Sequence, residues 1–396
     1  MGLLGTWGSS RAVGHDELRA EGPDLVDLDA AAKEEVRVAH VTVTVAPLRT
    51  TAEIPPLGQT GDMSSSTESD QSTSGAYVTA GQEFDRDMNY IPDRITAQGG
   101  EPIDGRAGTG ASSPSDAPRW PVEAGRYRLI AAKACPWANR SIIVRSLLGL
   151  EDVISLGTPG PTHDKRSWTF DLDPDGVDPV LGIERLQDAY FARYPDYPRG
   201  ITVPAIVEIE SGKVVTNDFP WITHDFFFEW REHHAPDAPD LWPADVRDEM
   251  EDVMVRIFHE INNGVYRCGF AGSQEAYDAA YDRLWTAMDW LEDRLSTRRY
   301  LMGDAVTEAD VRLFTTLARF DAVYHGHFKC NRNKLTEMPN VWGYARDLYQ
   351  IPAFGDSIDF EQIKAHYYVV QTDINPTQIV PKGPDPSLWL EPHGRG

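Results

Sequence analysis

The sequence is poor in cysteine: across 396 residues only Cys135, Cys268 and Cys330 occur, far apart. So few thiols exclude a disulfide framework and fit a reducing cytoplasm. No second cysteine follows Cys135 at Cys-x-x-Cys spacing, which excludes the local disulfide of a dithiol oxidoreductase. No apolar run approaches the roughly 20 residues of a membrane span. The opening Met1-Gly-Leu-Leu-Gly-Thr-Trp7 lacks the basic and long apolar regions of a signal peptide. Cations are short as well: 37 Lys+Arg against 62 Asp+Glu give a net charge of -25, which argues against nucleic acid or anionic membrane as partner. No Gly-rich phosphate loop follows a strand, so no tightly bound nucleotide cofactor is expected. His325, His327 and Cys330 lack a fourth ligand at sensible spacing, so no metal site is expected, and Cys268 and Cys330 read as buried packing.

What is present is organised around Ala134-Cys-Pro-Trp-Ala-Asn-Arg140. Alternation of Tyr127, Leu129 and Ala131 against Arg126 and Arg128 predicts a strand over Tyr127 to Ala132. Ile143 with Leu147 and Val144 with Leu148 predict a helix ending near Leu148, and Pro136 suits its first turn. Cys135 then sits at a helix N-terminus, where free N–H groups and the helix dipole favour a thiolate and lower its pKa from about 8.5 to roughly 3.5–7.5. A thiolate there is poised to attack sulfur, with an external thiol to resolve the product. An inert buried cysteine is the alternative, and the position before Pro136 at a strand-to-helix turn favours chemistry.

Residues 1–82 mix Gly, Ser, Thr, Asp and Glu without sustained periodicity and read as a disordered leader, with Met63 a candidate start. Residues 83–121 carry isolated anchors (Phe84, Tyr90, Ile91, Ile95) and read as an arm packed on the domain after it. Over 122–235, Val153 to Leu156 reads as a second, parallel strand. A long polar segment runs on to Gly200, with an amphipathic stretch at Leu181 to Phe191. Ile201 to Val207 and Lys213 to Val215 read as a hairpin turning at Ser211-Gly212. Pro204 interrupts that strand and predicts a cis Val203-Pro204 bond, which leaves the Val203 backbone free to pair with a peptide-like ligand. A trans edge-strand proline is the alternative. Asn217-Asp218 before Pro220 opens a helix to about Glu232. His233-His234 then reads as solvated, and Phe226-Phe-Phe228 with Trp230 as core or interface. From 243 to 370 the period is helical over Val246 to Asn262, Ala276 to Leu295, Thr307 to Phe320 and Val341 to Tyr349, with a capping box at Thr307-Glu-Ala-Asp310. A tail, 371–396, closes the chain. The expected fold is a thioredoxin-like α/β domain followed by an all-helical bundle.

These features together resemble a glutathione transferase, and more closely its xi class, the glutathionyl-hydroquinone reductases, in an actinobacterial-type member. The resemblance is carried by Cys135-Pro-Trp-Ala, Ile261-Asn-Asn-Gly-Val-Tyr-Arg-Cys-Gly-Phe270, Leu317-Ala-Arg-Phe-Asp-Ala-Val-Tyr324, His327-Phe-Lys-Cys-Asn331 and Ile374-Asn-Pro-Thr-Gln-Ile-Val-Pro381. It implies a glutathione transferase C-terminal domain and a homodimer, with small-molecule partners: a thiol, and its conjugate with a quinol. Cys135 would attack the sulfur of the conjugate, release hydroquinone and hold the thiol as a mixed disulfide. Trp168 would cover the thiol, and Val203 with Pro204 would pair with its cysteinyl unit. Tyr266, Tyr324 and Tyr367 would line an acceptor pocket, although each alone reads as an ordinary half-buried core tyrosine.

Two departures bear on the thiol. Asn139 stands where the family typically has His. At Asn217-Asp218-Phe219 the family has a Glu-Ser pair that binds the γ-glutamyl end of glutathione, so Asp218 keeps an acid while Phe219 lacks the hydroxyl. The co-substrate is therefore either glutathione or another thiol such as mycothiol, the sugar-linked cysteinyl thiol of actinobacteria. A general thioltransferase acting on disulfides needs Cys135 but not the tyrosines, and a non-catalytic scaffold of this fold needs neither.

Overall fold

The computed structural model describes residues 78–97, 107–109, 116–164 and 166–396. The expectations for the leader up to residue 77, and for 98–106 and 110–115 of the arm, lie outside the described residues. The arm contributes β1 (Arg94–Thr96), which pairs in parallel with β2 (Arg119–Pro121). It is fastened just ahead of its strand. The Ile91 N–H donates to Asn217 Oδ1 at 2.8 Å, and Thr216 Oγ1 donates to the Ile91 carbonyl at 2.7 Å.

Strand β3 (Tyr127–Ile130) is wholly buried and central. Helix α1 (Pro136–Leu147) leads from it to β4 (Ile154–Gly157), which pairs in parallel with Leu129 opposite Leu156. The next segment makes a small ribbon, β5 (His163–Asp164) against β6 (Ser167–Trp168), and helix α2 (Gln187–Arg193). That helix takes up only the end of the amphipathic stretch expected from Leu181. β7 (Ala205–Glu208) runs antiparallel to β3, and β8 (Lys213–Thr216) returns beside β7, giving the order β4-β3-β7-β8. The turn between them uses Gly212 at φ +65°, a conformation that favours glycine. Arg128, on the second face of β3, is buried against Asp178 at 2.8 Å, and the same carboxylate accepts the Val180 and Leu181 amides. The long polar segment thus supplies the anion that lets a cation sit in a central strand.

Helix α3 (Phe219–Phe228) packs on α1. Phe226, Phe227, Phe228 and Trp230 are buried in the core. The helix stops four residues short of the expected Glu232, and His234 is half-buried rather than freely solvated: its ring nitrogen lies 2.8 Å from the Phe226 carbonyl and meets an oxygen that the helix end leaves unpaired.

The helical part comprises α4 (Arg247–Arg256), extended by a π-helical turn over Ile257–Asn262, then α5 (Gly264–Gly269) and α6 (Gln274–Leu295). It continues with α7 (Glu308–Arg319), α8 (Pro339–Tyr349), α9 (Pro352–Gly355) and α10 (Phe360–Val370). α7 is buried along its whole length and packs on α1, joining the helices to the sheet. Its start is held by Asp310, whose carboxylate accepts the Thr307 N–H at 2.8 Å, the Leu301 N–H at 2.9 Å and the Tyr344 hydroxyl at 2.8 Å. In the tail, Trp389 packs edge-on against Trp342 at 4.8 Å.

Arg94 of β1 and Asp225 of α3 form a buried ion pair, with both carboxylate oxygens 2.8 Å from Arg94 Nε and the guanidinium 4.2 Å above the Trp221 ring. Asp225→Ala strands that guanidinium in the core. The expected loss is about 3–5 kcal/mol in the denaturant midpoint analysis, against roughly 1 kcal/mol or less for an exposed pair such as Arg199–Asp87.

Candidate active site

Cys135 is the N-cap of α1, in extended conformation (φ −82°, ψ 122°), with Pro136 directly after it. Its carbonyl starts the helix by accepting the Asn139 N–H at 3.0 Å. The sulfur therefore faces the helix mouth, 3.7 Å from the Val203 carbonyl. The Val203-Pro204 bond is cis, as expected from the sequence.

A cleft of about 260 Å³ opens over the sulfur. Cys135, Trp137, Trp168, Val203, Asn217, Phe219, Tyr266 and Tyr367 line it. Tyr324 does not: it is fully buried behind Tyr367. The three phenols are nonetheless chained, Tyr266 Oη to Tyr367 Oη at 2.6 Å and Tyr324 Oη to Tyr367 Oη at 2.9 Å. Burial raises the pKa of all three, so each keeps its proton at neutral pH and can donate. Trp168 lies nearly parallel to His366, with ring centroids 5.1 Å apart. His366 Nδ1 donates to the Pro161 carbonyl at 2.8 Å, and burial followed by the neighbouring His163 pushes its pKa down to about 3. The ring is therefore neutral, and its Nε2 is an acceptor.

The thiol itself corrects the sequence-based expectation. Burial pushes the Cys135 pKa up, and this outweighs the opposing pull of the Ala138 amide, the Arg319 guanidinium and the Trp137 amide. The helix N-terminus acts as expected, but desolvation by the surrounding chain is larger.

The three residues at the start of α3 separate. Asn217 lines the cleft, but its Oδ1 accepts the Ile91 N–H and its Nδ2 donates to Thr202 Oγ1 at 2.8 Å. Asp218 is not among the lining residues. Phe219 presents a ring, 4.8 Å from Trp137 and 5.5 Å from Tyr90. Asn139, fully buried, donates to the Ser357 carbonyl at 3.1 Å and so ties α1 to the end of α9.

Sequence reasoning missed Arg86, His163, His366 and Gln371, which also line the cleft, and it named Tyr90 only as a packing anchor. Arg86 arrives from the arm, over the Trp137 ring at 4.3 Å and the Tyr266 ring at 4.6 Å, with its Nε donating to Asn263 Oδ1 at 2.8 Å. Only His366 carried a usable signal, its place directly before Tyr367.

A four-stranded sheet with a cis-proline hairpin, a cysteine at the mouth of its first helix and a helical partner closing the cleft define a glutathione transferase. The glutathione S-transferase C-terminal domain family matches residues 274–347. The glutathionyl-hydroquinone reductase PcpF of Sphingobium chlorophenolicum is 40% identical, covering 68% of this chain and 87% of its own. A glutathione transferase from Gordonia bronchialis is 66% identical, with a TM-score of 0.72 over 78% of this chain and 90% of its own. The xi-class glutathione transferase of Phanerochaete chrysosporium is 40% identical, with a TM-score of 0.65 over 67% and 92%. The chain belongs to the xi-class glutathione transferases, the glutathionyl-hydroquinone reductase family.

Burial raises the Asp218 pKa to about 7, with Arg94 opposing and Asp225 adding to the shift. A carboxyl raised above its unfolded value binds more protons folded than unfolded. Its contribution is therefore fully present below about pH 4 and lost as pH rises through about 7. Asp218→Asn should accordingly raise the melting temperature at about pH 8 and leave it nearly unchanged at about pH 4. Equal effects at both pH values would remove Asp218 as the titrating group.

Proposed function

We propose that this protein is a thiol-dependent reductase that removes the thiol from a hydroquinone conjugate through a mixed disulfide on Cys135. The observation that carries the reading is the placement of a helix-mouth thiol and two proton-bearing phenols, Tyr266 and Tyr367, on one cleft. The names of the family relatives point to the same chemistry.

The Cys135 thiolate attacks the sulfur that joins thiol to ring. A Cys135 S–S bond forms and the aryl C–S bond breaks. The ring carbon keeps the electron pair and takes a proton, while the phenols donate hydrogen bonds to the ring oxygens as negative charge develops on them. A second thiol then attacks the mixed disulfide, releasing a low-molecular-weight disulfide and restoring Cys135. Overall one free thiol and the sulfur of the conjugate end as a disulfide, while the ring carbon is reduced from C–S to C–H. Trp168 covers the thiol moiety, the Val203 backbone ahead of Pro204 pairs with its cysteinyl unit, and Tyr324 supports Tyr367 from behind. A cytoplasmic homodimer is part of the proposal.

The co-substrate is glutathione or a related cysteinyl thiol. Phe219 in the cleft and Asp218 outside it leave the γ-glutamyl end of glutathione without a side-chain hydroxyl at that corner, which favours a thiol lacking that group, mycothiol among them.

The test is intact-mass analysis after incubation with glutathionyl- or mycothiol-hydroquinone, with Cys135→Ser as control. The expected outcome is hydroquinone release with one thiol added to Cys135; the conjugate that reacts identifies the thiol. Tyr367→Phe should slow turnover of the conjugate by about 10²-fold while leaving exchange with a small disulfide intact. Little loss on either substrate would favour a general thioltransferase, which needs Cys135 but not the tyrosines. No adduct from either conjugate would sink the reading.

A further inference from the structure

Arg319, at the end of α7, is fully buried, and each of its hydrogen bonds ends on a neutral oxygen. Nε donates to the Ala134 carbonyl at 3.0 Å, Nη2 to the Lys133 carbonyl at 2.7 Å and Nη1 to the Thr315 carbonyl at 2.6 Å, with Asn139 Oδ1 at 3.5 Å. Arg140 and Arg145 are likewise buried with their hydrogen bonds on neutral oxygens, whereas three other buried arginines face an acid. Arg94 faces Asp225, Arg128 faces Asp178 and Arg312 faces Glu308. Among the described residues no carboxylate stands within ion-pair distance of Arg319. Burying a cation without a counter-ion is expensive, and an anion arising nearby during the working cycle would offset that cost.

The bonded carbonyls locate that anion. Lys133 and Ala134 are the two residues before Cys135, so the guanidinium clamps the turn that aims the sulfur and reaches it from the helical side of the cleft. We propose that Arg319 is the positioning residue of the reactive thiol: it holds the Lys133–Cys135 turn and serves as the standing counter-ion of the Cys135 thiolate. The proposal rests on Cys135 being the nucleophile and not on the identity of the conjugate.

The other groups around the sulfur do not take this role. Arg86 comes from the arm, is only partly buried and bonds Asn263. Arg140 of α1 donates to Asn262 Oδ1 at 2.8 Å and lies within the field of Glu308. Tyr90, Tyr266 and Tyr367 are held protonated by burial, and His163 and His366 neutral. The field of Arg319 is felt by Cys135, by Tyr324 and by Tyr367, the thiol and the phenol chain behind it.

The test is the pH profile of Cys135 alkylation by iodoacetamide, followed by peptide mass on the full chain. Arg319→Met is expected to move the apparent thiol pKa up by about one unit or more and to slow alkylation at neutral pH about tenfold. Arg319→Lys keeps the charge but cannot span three carbonyls; it should hold the thiol pKa near wild type while lowering conjugate turnover. A folded Arg319→Met with a wild-type profile overturns the proposal. A second measurement needs no variant: wild-type protein carboxymethylated at Cys135, which carries an anion, should melt a few degrees above protein carbamidomethylated there, which is neutral. Equal melting temperatures also overturn it. Neither readout requires hydroquinone chemistry, so a protein inert to both conjugates that passes them would refute the reductase reading alone.

Discussion

Desolvation at the mouth of helix α1 is the constraint around which the molecule is arranged. A helix start leaves N–H groups unpaired, and the turn before it leaves carbonyls unpaired. In an exposed site water satisfies both. Here the Trp137 and Ala138 amides bear on the Cys135 sulfur, and the Lys133 and Ala134 carbonyls accept from Arg319. The amides meet the sulfur locally, whereas the carbonyls are reached from α7, so α7 has to meet the sheet at this point. The packing of α1 between α3 and α7 is the structural form of that requirement.

The backbone of the site was legible because its signals are local. Alternation marked β3, Pro136 marked the start of α1, and Pro204 inside an apolar run marked the special peptide bond. The period of the helices was equally local, although the short α5 and the later α10 were not singled out. What escaped the sequence was convergence. Arg86, His163, His366 and Arg319 share no local pattern, and they meet only because the arm, the β5–β6 ribbon, α10 and α7 close on one cleft. Buried arginines are the clearest case. Arg128 looked like a polar-face residue of β3, and nothing near it announced Asp178, fifty positions on.

The thiol shows the same division between local and tertiary terms with opposite signs. A helix N-terminus lowers a cysteine pKa, and that rule could be applied from sequence alone. Burial raises it, and burial is a property of the whole fold. The balance also has a functional sense. A thiol kept protonated is a poorer target for adventitious oxidants, since the thiolate is the reactive form.

The start of α3 carries the argument about which thiol is accepted. Asn217 is committed to the arm and Thr202, Asp218 lies off the cleft, and Phe219 offers a ring. Strong discrimination between ligands requires buried polar groups that are left unpaired by the wrong one, whereas an apolar wall separates ligands only weakly. At this corner the chain has an apolar wall. The polar groups elsewhere on the cleft are the Val203 backbone, the His366 acceptor and the Arg86 guanidinium. The phenol side is the reverse: the chain from Tyr266 through Tyr367 to Tyr324 is polar and buried, and its three hydroxyls make two bonds among themselves, which leaves one proton to donate. The cleft is thus walled by a ring at the start of α3 and by hydroxyls at the phenol chain.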